Sequence, residues 1–285
     1  MSAPLVDTHC HLDLEPLAGS VEAVLDRARR AGVQRCITIG TDLESSRANV
    51  ALAKQHPMLW AAVGVHPSDA VSATDDVLAQ IAALCEEPEV VAIGEVGLDY
   101  YRLPAMSANK QAGRHGECAT AEAQERALRA FLTLAQRRNL PLLIHCRNAY
   151  DELLALLRRE IKGSARGLMH CASGPPAFIE QALALGFYIS FAGNVTFPNA
   201  HALRALIPLV PDERLLIETD APFLAPQAVR GQPNEPAYVA HTAAYLAQLR
   251  GVTLGQLAEL TSRNAQRLFG WPHLRPSLPE RSERK

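Results

Sequence analysis

Six ionisable side chains stand at the ends of apolar runs, and their types suit metal chemistry. The first two are His9 and His11, in Leu5-Val6-Asp7-Thr8-His9-Cys10-His11. Alternate residues of a strand point the same way, so these imidazoles share one face and can hold one metal ion. An isolated His-x-His is more often a pair of hydrogen-bonded histidines at a strand end. Here it has company. Glu95 follows the run 90–93, His145 follows 141–144, His170 follows 167–169, and Asp220 lies just beyond 215–217. A charged group after an apolar run costs little where solvent reaches it, so each alone says little. Their shared position is the signal. Four histidines and two carboxylates converging without a cation would crowd like charges and unsatisfied donors together. Six protein ligands exceed the three that a single catalytic zinc normally takes, which points to two metal ions.

Side chains this far apart in sequence meet only if many strand ends share one face. Short apolar runs occur at residues 4–6, 33–39, 59–65, 90–93, 141–144, 167–169, 187–191 and 215–217. Near-continuous apolar runs mark strands buried on both faces. Helical patterns lie between them. Residues 21–30 gather Val21, Val24, Leu25 and Ala28 on one face, residues 121–138 gather Leu128, Phe131, Leu132 and Ala135, and residues 151–160 gather Leu153, Leu154 and Leu157. Strict alternation implies a parallel sheet, and eight units close it into a single (β/α)8 TIM barrel. Fewer units would leave an open doubly wound sheet. No Gly-x-Gly-x-x-Gly turn follows the first strand, which counts against a dinucleotide fold. In a parallel barrel the C-terminal strand ends open on one face, where active sites are built. The expected organisation is one barrel over residues 1–270 and a flexible polar tail over 271–285, rich in Pro, Ser and charge.

Composition narrows the function. A length of 285 residues slightly exceeds the roughly 250 typical of one such barrel, enough to bury a core without disulfides or structural metal. Lys and Arg total 28 against 30 Asp and Glu, a formal charge of −2. That is not the footprint of a protein that coats long duplex nucleic acid, although it leaves room for a local basic rim. The six cysteines form no Cys-x-x-Cys pair, so neither a zinc finger nor a disulfide framework is expected, and free thiols suit a reducing setting. The opening MSAPLVDTHCHLD has neither a basic leader nor a long apolar stretch, and no run approaches a membrane span. A cytoplasmic protein with no membrane partner and no obligatory protein partner is expected.

The motifs LVDTHCHLD, GEVGLDYY, PLLIHCRNAYDE and LLIETDAPFLAP, in this order, resemble the TatD family of metal-dependent deoxyribonucleases within the amidohydrolase-like barrels. Shorter matches are Gly64-Val65-His66-Pro67, Ser190-Phe191-Ala192-Gly193 and Arg230-Gly231-Gln232-Pro233-Asn234-Glu235-Pro236. The likeness runs from about Leu5 to Gly270. It implies a dinuclear site in which His9, His11 and Asp220 hold one ion, His145 and His170 hold the second, and Glu95 bridges them. Many wider amidohydrolase relatives bridge with a carbamylated Lys instead. The family is associated with hydrolysis of DNA phosphodiester bonds, often from a 3′ end, with magnesium, manganese or zinc. The implied partner is DNA, as strand ends or single strands. A hydrolase of a small ester, lactone or amide using the same metals is the competing reading. A non-catalytic barrel would have lost ligand positions, and none is missing.

Paired ions can neutralise a phosphate and lower the pKa of water. Asp220 is then expected to act as ligand and general base, with Glu95 the other catalytic carboxylate. Arg147 either forks onto a phosphate or forms a structural ion pair with Asp151 or a neighbouring acid. His66 is expected to touch substrate, since six ligands already suffice. Asp7 and Asp99 are expected to accept hydrogen bonds from ligand imidazoles, and Glu218 to lie deeper behind them. Cys10, Cys146 and Cys171 each adjoin a proposed ligand but read as small buried side chains. Two departures from the family stand out. Asn148 occupies a position where many relatives carry Asp. The connection 102–120 is long and carries Arg102, Lys110, Arg114 and His115 against Glu117 alone. It is read either as a phosphate-contacting flap or as a neutral insertion.

Overall fold

The fold was obtained as a computed structural model, and the structure describes residues 4–103 and 119–271. Eight strands pair in sequence order, all parallel: β1 (Leu5–Cys10), β2 (Val33–Ile39), β3 (Leu59–Val63), β4 (Val90–Asp99), β5 (Leu142–Arg147), β6 (Gly167–Met169), β7 (Tyr188–Phe191) and β8 (Leu215–Ile217). The seam between the last and first strands closes at their C-terminal ends. His11 N–H donates to Ala221 O (2.7 Å), Asp220 N–H donates to His9 O (2.8 Å), and Cys10 bridges Ala221. This is the expected (β/α)8 barrel.

Helices wrap it: α1 (Val21–Arg30), α2 (Leu43–Gln55), α3 (Asp75–Leu84), α4 (Ala121–Arg138), α5 (Tyr150–Glu160), α6 (Pro176–Ala184), the single turn α7 (His201–Arg204), α8 (Val239–Arg250) and α9 (Leu254–Phe269). Their starts follow from local chemistry. Asp42 and Ser45 form a reciprocal capping box on α2, Thr253 and Gln256 do the same on α9, and Thr120 caps α4. The apolar stripes read on α1, α4 and α5 are buried. The barrel interior is a separate apolar cluster to which each strand contributes, with Val6, Ile37, Trp60, Ala92, Leu143, Leu168, Tyr188 and Leu216 among its members.

Several boundaries differ from expectation. The strands β1, β4 and β5 run beyond their apolar cores into the polar residues that follow. In β4 the pairing continues after a register shift, with Gly97 opposite His145 and Asp99 opposite Arg147. Polar and glycine residues weaken a strand's intrinsic signal, but neighbouring strands supply the hydrogen bonds that keep it extended. Trp271, assigned to the tail, is buried in the interior cluster and stacks on Trp60 (5.8 Å) and Phe269 (4.9 Å). The packed body thus extends one residue past the expected boundary. Residues 272–285, and 104–118 of the basic connection, lie outside the described residues.

Candidate metal centre

His9, His11, Glu95, His145, His170 and Asp220 come together at the C-terminal mouth. Glu95 lies at the middle of the group, with each carboxylate oxygen facing a different pair of histidines. Oε2 is 3.4 Å from His9 Nε2 and 3.7 Å from His11 Nε2. Oε1 is 2.7 Å from His145 Nδ1 and 2.9 Å from His170 Nε2. Asp220 Oδ1 closes the first half, 3.7 Å from His9 Nε2 and 3.5 Å from His11 Nε2. Within each pair the inward nitrogens are 3.2 Å apart. Two donor sets, His9–His11–Glu95 and Glu95–His145–His170, are each compact enough for one ion.

The chain positions these groups by close backbone packing. A Cβ at Gly94 would lie 2.4 Å from Leu143 Cβ, and one at Gly97, where φ is +153°, would lie 1.9 Å from His145 O. Only glycine lets β4 approach β5 this closely beside Glu95. Asp220 takes a left-handed φ of +57° as the chain leaves β8, which Asp tolerates better than most residues.

The outer faces of the rings bear on whether the site fits metal. Behind His170, Nδ1 meets Glu218 Oε1 at 3.3 Å, and behind His11, Nδ1 meets Ile39 O at 3.3 Å; behind His145, Nε2 faces the carboxylate oxygen Asp99 Oδ2 at 3.4 Å as an ion pair without hydrogen-bond geometry. An acceptor behind a ring draws its proton outward and leaves a lone pair inward, which is how metal-binding histidines are held. His9 Nδ1 is buried and has no such partner, and its ring stacks on His170 at 4.0 Å. With lone pairs turned inward on both rings of a pair, nitrogens 3.2 Å apart repel, as do inward protons on two charged rings; only a single shared proton would otherwise join them. A cation between each pair removes the conflict, so the donor set fits.

The charges of the cluster hold one another in their ionised forms. Burial would push the Glu95 carboxyl up, but the surrounding imidazoles, His170 and then His66, hold it well below the usual carboxylate range. Burial likewise pushes Asp220 up, and its hydrogen bond with His11 and the charges of His170 and His9 outweigh this to lower it. Burial lowers His170 and His145, yet the facing carboxylates raise both: Glu95 and Glu218 for the first, Asp99 and Glu95 for the second.

His66 differs from the other four. Its Nδ1 accepts a hydrogen bond from Ser68 N–H (3.1 Å), so the neutral ring carries its proton on Nε2, which points at Glu95 Oε1 from 3.7 Å. Burial pushes its pKa down to about 3, so the ring is neutral near pH 7. It offers the site a proton donor rather than a lone pair.

Two other expectations, the role of Asp7 and the Arg147–Asp151 pairing, are corrected, while Glu218 and Cys10 lie as expected. Among the described residues, Asp7 accepts no bond from an imidazole. It takes hydrogen bonds from His9 N–H (3.3 Å), Thr219 N–H (2.9 Å) and Thr219 Oγ1–H (2.6 Å), tying the backbones of β1 and the β8 end together. Arg147 makes no ion pair with Asp151; its exposed guanidinium stacks on Tyr101, 3.8 Å from the ring centre. Glu218 is fully buried and also accepts from Cys171 N–H (2.6 Å). Cys10 faces away from the centre and donates to Ile37 O (3.3 Å). Arg102, at the start of the long connection, donates to Ser68 Oγ (3.3 Å) and lies 3.7 Å from Asp99 Oδ2.

The sequence assigns no role to Asn234, Glu235 or Phe223. Asn234 is buried and donates to Thr219 O (2.8 Å) and Phe223 O (2.5 Å), fastening the loop that carries Asp220. Glu235 receives a bidentate contact from Arg27 of α1, at 2.6–2.9 Å. The Pro-Asn-Glu-Pro string was the available signal, since Asn between prolines favours a side-chain-to-backbone turn.

Residues 6–270 match the model of the TatD related DNase family. A Bacillus subtilis protein named as an uncharacterized metal-dependent hydrolase, YabD, is 36% identical over 265 residues, covering 93% of this chain and 98% of its own. A Citrobacter rodentium protein named 3′-5′ ssDNA/RNA exonuclease TatD is 39% identical over 254 residues, covering 87% of this chain and 91% of its own. The crystal structure of the TatD homologue YjjV from Escherichia coli superposes with a TM-score of 0.82 at 34% identity, covering 95% of this chain and all of that one. This chain belongs to the TatD related DNase family of metal-dependent hydrolases.

Proposed function

We propose that the chain is a cytoplasmic, metal-dependent deoxyribonuclease that hydrolyses phosphodiester bonds at DNA strand ends, in the 3′ to 5′ direction. The observation that carries this reading is the division of Glu95, whose two oxygens face separate histidine pairs. His9, His11 and Asp220 would hold one divalent ion, His145 and His170 a second, and Glu95 both. Zinc, magnesium or manganese bound there supplies positive charge to the phosphate and lowers the pKa of water. Asp220, the more open carboxylate of the group, takes the proton of the attacking water. His66 donates its Nε2–H to a phosphate oxygen. Arg147, spread on Tyr101, meets the phosphate of a neighbouring nucleotide as a planar fork. A formal charge of −2 suits an enzyme that grips a few phosphates at an end rather than a long duplex. The exonuclease named in Citrobacter supports this substrate. The described cysteines are free thiols, as the cytoplasm favours.

The test uses end-labelled single-stranded DNA beside a panel of small esters, lactones and amides. The wild type is expected to shorten the labelled strand stepwise. His145→Ala should slow this by at least about 100-fold, the upper end of what losing even an outer partner costs a metal site. Intact DNA together with hydrolysis of a small ester, lactone or amide would overturn the proposal in favour of the small-molecule reading.

A further inference from the structure

Among the described residues, the exposed large apolar side chains gather in two places. Leu249, Val252 and Leu254 surround the turn between α8 and α9, while Val71, Tyr101 and Phe223 stand on segments that follow β3, β4 and β8. Phe223 is the one tied directly to the metal centre. It lies three residues after Asp220, its ring centre is 6.2 Å from that of His11, and it is 52% exposed.

We propose that Phe223 is the platform on which the nucleobase next to the scissile phosphate stacks, a role that rests on the nuclease reading and supplies its preference for unpaired ends. A phenylalanine is normally buried, and one left in solvent on a loose loop would mean little. This loop is fastened. Phe223 N–H donates to Asp220 O (2.9 Å), Asn234 N–H donates to Pro222 O (3.1 Å), and the buried Asn234 amide holds the carbonyls of Thr219 and Phe223. The backbone on both sides of the ring is held while the ring itself faces the mouth. Every base has a flat π-face, so an aromatic platform grips a strand without reading its sequence.

Charge at the mouth complements such a strand. Arg147 lies over Tyr101, and Arg230 lies 3.9 Å from the ring centre of Phe197. Tyr101, Phe197 and Arg230 belong to segments that follow β4, β7 and β8, and Arg147 is the last residue of β5. Neither guanidinium makes an ion pair among the described residues. Planar cations on aromatic supports suit successive phosphates, while Phe223 takes a base. In a duplex both faces of an internal base are covered by its neighbours, so Phe223 can receive it only after unpairing and unstacking. A free or frayed end presents its base at no such cost.

The test compares single-stranded oligo(dT) with a strand of equal length whose terminal residues are abasic. Wild type should favour the base-bearing strand by about tenfold in KM, within the range that one base–aromatic stack supplies. Phe223→Ala should abolish that preference through KM rather than kcat, and Phe223→Trp should restore it. Indole fluorescence of the Phe223→Trp holoenzyme should also be quenched by a hydrolysis-resistant phosphorothioate oligo(dT). If Phe223→Ala keeps the tenfold preference, or no quenching occurs while wild type degrades DNA, the stacking role is wrong and the nuclease reading survives. If wild type degrades neither strand, the nuclease reading falls and the stacking role with it.

Discussion

Glu218 stands behind the centre, and its chemistry is legible one residue at a time. It sits two places before Asp220, so strand alternation puts both on one side with Glu218 deeper. The structure adds that Oε1 serves both His170 Nδ1 and Cys171 N–H, while Oε2 is buried without a hydrogen-bond partner. Gln at this position keeps the acceptor for Cys171 but loses the charge that strengthens the His170 lone pair. Glu218→Gln is therefore expected to weaken metal binding about tenfold with the fold intact. Titration against a competing chelator, with circular dichroism alongside, measures both; unchanged affinity would refute a supporting role for Glu218. Asp7 shows where residue-level reading stops. Its type and place suggested an imidazole partner, but three hydrogen bonds from His9 and Thr219 claim it for the backbone.

At the scale of elements, the junction of β4 and β5 governs the site. The apolar run 90–93 marks β4, but the residues that matter come after it, in Gly94-Glu95-Val96-Gly97-Leu98-Asp99. Two glycines and two carboxylates in six residues hide a strand from any reading of periodicity. Pairing with β5 keeps it extended, and the glycines let it lie close. At Gly97 an added methyl meets the His145 carbonyl, a backbone atom that cannot rotate aside, and φ is already one that L residues rarely adopt. Gly97→Ala is expected to destabilise the protein by more than about 3 kcal/mol and to disturb metal binding at His145. Urea unfolding measures the first effect; a midpoint equal to wild type would show that the strands do not pack as described.

For the whole molecule, barrel closure and three of the proposed metal ligands share one seam. His9, His11 and Asp220 lie on the seam between β1 and β8, joined by backbone hydrogen bonds across more than 200 residues of chain. An ion held there binds only the closed barrel, and a ligand selective for the folded state stabilises it in proportion to its occupancy. Chelation at neutral pH is expected to lower the Tm by about 5 °C or more for a chain of this size. The difference should shrink as pH falls, beginning above the ordinary imidazole value of about 6.5 because the facing carboxylates raise His145 and His170, as protons replace metal on the rings. Differential scanning calorimetry with and without chelator tests this, and an unchanged Tm at neutral pH would refute the coupling. None of the helices among the described residues is long and apolar enough to cross a membrane.

The amino-acid sequence alone determined the number and order of the strands, the helix faces that pack on them, and which six side chains reach the mouth. These follow from periodicity, which is local: a strand end points the same way wherever the rest of the chain goes. Tertiary structure decided the rest. It set which Glu95 oxygen faces which histidines, turned Asp7 from ring partner to backbone clamp, laid Arg147 on Tyr101 instead of Asp151, drew Trp271 into the core, and held Phe223 out at the mouth. Each depends on contacts between residues tens to hundreds of positions apart or on a loop shaped by them, and no window of local sequence contains them.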